Sequence, residues 1–128
     1  MNDAIDLVQR FCDEWGKGAN VDTIIGYFTD DAVYHNIPID PVTGAEGIRG
    51  MIAMFVTGPE RIEFRVANIA AVGNVVLTER VDVFEFADFT IELPVMGTFE
   101  VRDGRIAHWR DYFDLNQYMS QLQAGAGG

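Results

Sequence analysis

Apolar residues recur along this chain with two different periods, and the change of period divides it. Over residues 3–16, Ala4, Val8, Phe11 and Trp15 repeat at helical spacing and share one face, and Gly16 and Gly18 close that helix. A short helix is predicted at about 22–28, with Ile24, Ile25 and Phe28 turned inward. The stretch "DDAVYHNIP" predicts a strand closed by Pro38, which has no N–H for a sheet ladder. "PIDPVTG" predicts a loop, and residues 45–56 a third helix. From residue 61 the period shortens to two. Strands are predicted at 61–72, 74–86, 89–102 and 105–113, joined by tight turns at Gly73-Asn74 and Asp103-Gly104 and by a third turn at Ala87–Phe89. These consecutive strands form an antiparallel meander. A last short helix follows at 114–122. The pattern places a single domain at 1–122 and a flexible tail at 123–128, where the sequence thins to "QAGAGG".

Helices followed by a long antiparallel sheet define an α+β layout. A curved sheet with three to four helices packed on it encloses a cone-shaped apolar pocket, a natural site for a small molecule. Strand alternation says what faces that pocket. Val76, Thr78, Arg80, Asp82 and Phe84 share one face, as do Leu93, Val95, Gly97 and Phe99. Ala107, Trp109, Asp111 and Phe113 share another, and so do Ala32, Tyr34 and Asn36. If all four faces line one cavity, its wall is apolar except for Tyr34, Asn36, Arg80, Asp82 and Asp111. Phe84, Leu93, Val95 and Phe113 are read equally as plain core or as the lining against which a substrate rests.

Composition narrows the classes. The 128 residues are 48% hydrophobic and 12% aromatic, which supports a real core and is not the make-up of a disordered chain. A formal net charge of -11 argues against nucleic acid and against an anionic membrane surface as partners. The single cysteine, Cys12, excludes an intramolecular disulfide and lies within a helical apolar pattern, where it reads as core filling. No basic segment followed by an apolar run opens the chain, and no apolar run approaches the ~18 residues of a membrane span, so a cytoplasmic protein is expected. Two histidines, His35 and His108, without CxxC or HExxH spacing, make a metal site unexpected, and "GAEGIRG" reads as a helix start rather than a phosphate loop.

The inward carboxylates raise a chemical question. Asp111 lies in "HWRDYFD", between Trp109 and Phe113, and an unpaired carboxylate there costs several kcal/mol even after relaxation. Its partner is predicted to be Arg80, whose planar fork can serve two carboxylates at once, Asp82 being the second. Such a group carries one net negative charge in an apolar pocket, and burial together with like charge favours holding one proton on it near neutral pH. One aspartic acid beside one aspartate is a general acid beside a general base. The plain alternative is a surface ion pair, common for Arg and Asp at i, i+2 on a strand. Tyr34 is likewise read as a core residue with a solvated hydroxyl. His35, His108, Arg110 and Tyr112 alternate outward and are read as outer face.

Three stretches together, "VYHNIP" (Val33–Pro38), "TERVDVF" (Thr78–Phe84) and "WRDYFD" (Trp109–Asp114), resemble the limonene-1,2-epoxide hydrolases. "YFTDDAVYHN" and "GAEGI" resemble the wider cystatin-like, or nuclear-transport-factor-2-like, superfamily to which those enzymes belong. The resemblance runs nearly the whole length of the chain. It implies that Asp111 deprotonates a water held by Tyr34 and Asn36, that Asp82 protonates the epoxide oxygen, and that Arg80 bridges the two aspartates. It also implies a homodimer, no metal and no cofactor, with an apolar epoxide and water as the reacting partners. The loop at 57–60 and the stretch at 86–90 are expected to vary access to the pocket. Two other readings stay open at this point. Ketosteroid isomerases and polyketide cyclases of the same superfamily use an acidic base in the same cone, and a non-catalytic binding module would use the cone without chemistry. The α/β-hydrolase route to epoxide opening needs a longer chain and a well-placed histidine.

Overall fold

The computed structural model describes residues 3–127. Its elements are α1 (Asp3–Trp15), α2 (Val21–Ile25), β1 (Phe28–Asn36), β2 (Val42–Thr43), α3 (Gly44–Val56), β3 (Arg61–Val72), β4 (Val75–Glu85), β5 (Thr90–Arg102), β6 (Arg105–Tyr112) and α4 (Leu115–Gly127). Among the described residues one six-stranded sheet runs in the order β2-β1-β6-β5-β4-β3. The meander β3–β6 is antiparallel throughout, as its period of two and its turns predict. β1 joins the other side of β6 in parallel, which makes the sheet mixed. Irregularities at Phe28/Val33, Val66/Asn68 and Glu100/Val101 bend the strands, because each extra residue locally raises twist and curvature.

The concave face carries the core. α1 buries Leu7, Val8, Phe11, Cys12 and Trp15; of the stripe that helical spacing predicts, Val8, Phe11 and Trp15 are among them, Ala4 is only half-buried, and Leu7 and Cys12 are added. Phe11 and Trp15 stand edge to face, and Trp15 stacks on Phe64 of β3 at 4.5 Å. Burial pushes the Cys12 thiol up to about 12, so it stays protonated and inert inside the core. Among the described residues no helix is long and apolar enough to cross a membrane.

Several boundaries differ from those predicted. The second helix stops at Ile25, capped by Gly26, and Phe28 is the buried first residue of β1 rather than the end of a helix. Ile25 is only half-buried. The first strand therefore spans 28–36, ending before Pro38, and the loop after it contains the two-residue β2 paired with Val33 and Tyr34. On β6, Ile106 rather than Ala107 is fully buried. The reason is a bulge: Glu100 pairs with His108 and Val101 with Ile106, so Ala107 is the extra residue and alternation shifts at it. The last helix does not stop at 122. Residues 123–127 of the expected tail are helical, and Gly128 lies outside the described residues.

Candidate active site

Pairing registers put the inward polar residues side by side. One row across the sheet reads Asn36, Asp111, Gly97, Thr78 on β1, β6, β5 and β4. The next row holds Tyr34, Trp109, Phe99 and Val76. Arg80 lies opposite Val95, and Asp82 opposite Leu93 on one side and Phe64 on the other. Asn36, Thr78, Arg80, Asp82 and Asp111 are all buried, so the inward face predicted from alternation is the face observed.

The guanidinium of Arg80 joins them. Nε and Nη2 donate to Asp82 Oδ1 and Oδ2 at 3.0 and 2.8 Å. Nη1 and Nη2 donate to Asp111 Oδ1 and Oδ2 at 3.2 and 2.8 Å. The remaining N–H, on Nη1, donates to Thr78 Oγ1 at 3.1 Å, and that hydroxyl faces the Gly97 carbonyl oxygen at 3.4 Å. Every donor of the fork is thus engaged, each carboxylate in a two-toothed bond. The ring of Phe64 lies against the cation, with Cζ at 4.8 Å from its centroid. A buried ion triad of this kind persists only where geometry and hydrogen bonding compensate desolvation, and here both do.

The two carboxylates differ in what else reaches them. Trp109 Nε1 donates to Asp111 Oδ1 at 2.6 Å, giving Asp111 a third hydrogen bond. The bonds found for Asp82 both come from Arg80. Burial is the main force that pushes the Asp82 carboxyl up to about 6; Arg80 pulls it back, and the charge of Asp111 adds to the rise. Arg80 itself is held well above its ordinary range, the two aspartates together outweighing burial, so it is a fixed cation. Burial, then the charge of Asp111, raises the Tyr34 hydroxyl well above 10, leaving it a neutral O–H. The Tyr34 ring stacks on Trp109 at 4.1 Å and 5°, which fixes where that hydroxyl stands.

These groups open into a cavity of about 390 Å³. Tyr34, Asn36, Asp82 and Asp111 form its polar part. Phe84, Leu93, Val95 and Phe113 line it, and sequence alternation had singled out all four. Most of the remaining wall comes from helices. α3 contributes Met51, Met54 and Phe55, and α4 contributes Leu115, Tyr118, Met119 and Leu122. The stretches 57–60 and 86–90 do not line it. Phe86 and Phe89 stack on each other at 4.5 Å instead, and they pack towards Gly58 and Gly125. Two buried donors on lining residues, Asn36 Nδ2 and Trp15 Nε1, find no hydrogen-bond partner among the described residues. Left unmatched, such a donor costs on the order of 1–3 kcal/mol.

Sequence reasoning missed three members of the site. Thr78 and Gly97 appeared only as inward-facing positions, and Trp109 only as an apolar neighbour of Asp111. The one available signal was the indole N–H: a Trp two residues before a buried acid on the same strand face stands within reach of it.

Comparison with known proteins identifies a family. Residues 3–124 match the family described as the limonene-1,2-epoxide hydrolase catalytic domain. The chain is 33% identical over 109 residues to epoxide hydrolase EphG of Mycobacterium tuberculosis (strain ATCC 25618 / H37Rv), covering 85% of this chain and 72% of that protein. The structure of an epoxide hydrolase of the same type from M. tuberculosis superimposes with a TM-score of 0.81 at 32% identity, covering 97% of this chain and 92% of the other. A protein from Shewanella putrefaciens CN-32, described as a SnoaL-like polyketide cyclase, reaches a TM-score of 0.83 at 15% identity over 97% and 98% of the two chains, and shares the fold alone. With its fold in the nuclear-transport-factor-2-like, SnoaL-like class and its family model matched almost end to end, the chain belongs to the limonene-1,2-epoxide hydrolase family.

Proposed function

We propose that this protein adds water to an apolar, cyclic or terpene-like epoxide in one step to give a vicinal diol, by general acid/base catalysis without a covalent intermediate. The observation that carries the reading is the buried Arg80 fork holding Asp82 and Asp111 each by two hydrogen bonds at the polar part of an otherwise apolar cavity. Asp111, with more donors around it, is the ionised partner and takes a proton from water. Tyr34 and Asn36 hold that water: both line the cavity, and Asn36 is the register neighbour of Asp111. As the water oxygen bonds to an epoxide carbon, the carbon–oxygen bond breaks and Asp82 gives its proton to the departing oxygen. The cycle ends with the proton on Asp111 and none on Asp82. Transfer across the Arg80-bridged pair restores the starting state, and the net change is one water added. The apolar walls favour a hydrocarbon skeleton and limit competing water.

A proton-transfer enzyme acting beside a carbonyl needs one acidic base and has no use for a second carboxylate on the same arginine. A binding module needs neither. The test is a panel of cyclic and terpene-like epoxides with diol formation measured, followed by a single turnover in labelled water. Label in the diol from the first turnover is the expected result. An unlabelled first diol would mean that an enzyme carboxylate attacked the ring, and the one-step reading would fail. The same reading includes a homodimer, for which the outward-facing Leu77, Met96 and Tyr112 offer an apolar contact.

A further inference from the structure

Arg80 stands on β4 and Asp111 on β6, two strands apart, a separation of about 9–10 Å across the sheet. Side chains rise roughly perpendicular to a sheet, so the guanidinium reaches Asp111 only by lying over the strand between them. That strand is β5, and its inward residues Leu93, Val95 and Phe99 all carry large side chains. The exception is Gly97, the register partner of both Thr78 and Asp111. A Cβ built there would lie 2.3 Å from Arg80 Nη1, 2.6 Å from Asp111 Oδ1 and 2.9 Å from Thr78 Oγ1. These three atoms are joined by the two hydrogen bonds of Nη1. Gly97 is not among the residues with positive φ, so backbone freedom does not explain it. What the position supplies is empty space.

We infer that Gly97 is a positioning residue for the reaction: its missing side chain is the notch over which Arg80 crosses β5 to hold Asp111. The inference rests on the acid/base reading of the site. An alanine at 97 meets the far ends of the Arg80, Asp111 and Thr78 side chains rather than backbone, and the guanidinium can swing aside without disturbing the sheet. It cannot do so and keep both Nη1 bonds. The fold survives and the coupling of the two carboxylates does not.

The test is a double-mutant cycle between Gly97→Ala and Arg80→Lys, read in kcat, KM, pH profile and Tm. A lysine presents no Nη1 to the new methyl. Gly97→Ala alone is expected to fold and to lose about 100-fold in kcat, the scale of an ångström-sized misplacement, with KM near the wild-type value. With the cation displaced, the carboxylate pair holds its proton to higher pH, so the pH profile moves upward. Added to Arg80→Lys, the same alanine is expected to cost less than it does in the wild type, because the contact with Nη1 is gone while those with Asp111 Oδ1 and Thr78 Oγ1 remain. Wild-type kcat and pH profile in Gly97→Ala, or equal losses in both backgrounds, would overturn the inference. If Gly97→Ala does not fold, a folded double variant supports the notch, and an unfolded one assigns Gly97 a structural role instead. Asp82→Asn assayed alongside separates the two levels. An active Asp82→Asn removes the acid/base reading itself, whereas an inactive Asp82→Asn beside a wild-type-like Gly97→Ala removes only the notch.

Discussion

Asp82 and Asp111 share one cation, and under the proposed mechanism the asymmetry between them decides which acts as acid. Asp111 accepts from Trp109 as well as from Arg80, while Asp82 has the Arg80 bonds and is held up to about 6 chiefly by burial. On the proposed acid/base mechanism the pair is competent when it holds one proton. As pH rises through about 6 that proton is lost, so kcat/KM is expected to fall on the alkaline side with a midpoint near pH 6. A profile that stays flat from pH 5 to 8 would sink the assignment. Stability carries the same sign. Because the carboxyl of Asp82 binds its proton more readily folded than at its ordinary 3.8, its contribution is full below that pH and is lost as pH rises through about 6. An Asp82→Asn variant lacks this loss. Measured by urea unfolding, its stability relative to wild type is therefore expected to grow between pH 4 and pH 7. Asp82→Asn and Asp111→Asn should each lower kcat by about 10²–10⁴-fold, the usual worth of a general acid or base, while circular dichroism remains native. The aspartates, Arg80, Tyr34 and Asn36 were legible because a period-two strand fixes which face a residue takes. Thr78, Trp109 and Gly97 were not, since their parts depend on a hydroxyl, an indole N–H and an empty volume, none of which alternation reports.

At the scale of elements, α4 supplies one apolar wall of the cavity. β6 ends at Tyr112, whose partner is Met96, so among the described residues the backbone of β5 beyond that point has no strand on that side. The Gln121 side chain takes the place of one: its Oε1 accepts from Glu92 N–H and its Nε2 donates to Glu92 O, both at 2.9 Å. Phe89 packs where Gly125 has no side chain; a Cβ there would lie 2.1 Å from its Cδ2. Gln121→Ala and Gly125→Leu are each expected to loosen α4, the first at a stability cost of about 1 kcal/mol for the lost backbone pairing. Leu115, Tyr118, Met119 and Leu122 would then hold substrate less well, raising KM for bulky apolar epoxides more than it lowers kcat. A fall in kcat with KM unchanged would show that α4 acts on the chemistry and not on the fit. The same helix marks a limit of sequence reading. "QAGAGG" resembles a tail because glycine weakens isolated helices by about 1 kcal/mol per residue, but here packing of Phe89 favours Gly125. The meander was legible from its turns. The parallel β1–β6 pairing and the bulge at Ala107 were not, because both are set by partners far away in sequence.

For the molecule as a whole, the question is what covers the convex side of the sheet. Met96 and Tyr112 are register partners there, 50% and 46% exposed, and Leu77 on the neighbouring strand is 43% exposed. Large apolar side chains grouped on an outer sheet face favour association with a second copy. The formal charge of -11 on each chain opposes it, and salt reduces that repulsion over a Debye length of about 8 Å at 0.15 M. Sedimentation equilibrium is thus expected to show a dimer that weakens at low ionic strength. Met96→Glu, which puts a further negative charge in the middle of the patch, is expected to give monomers. Because Arg80, Asp82, Asp111, Tyr34 and Asn36 all come from one chain and face the other side of the sheet, the monomer should keep its kcat. A dimer that persists in Met96→Glu would place the contact elsewhere, and a monomer that has lost activity would mean that the second copy supports the cavity walls.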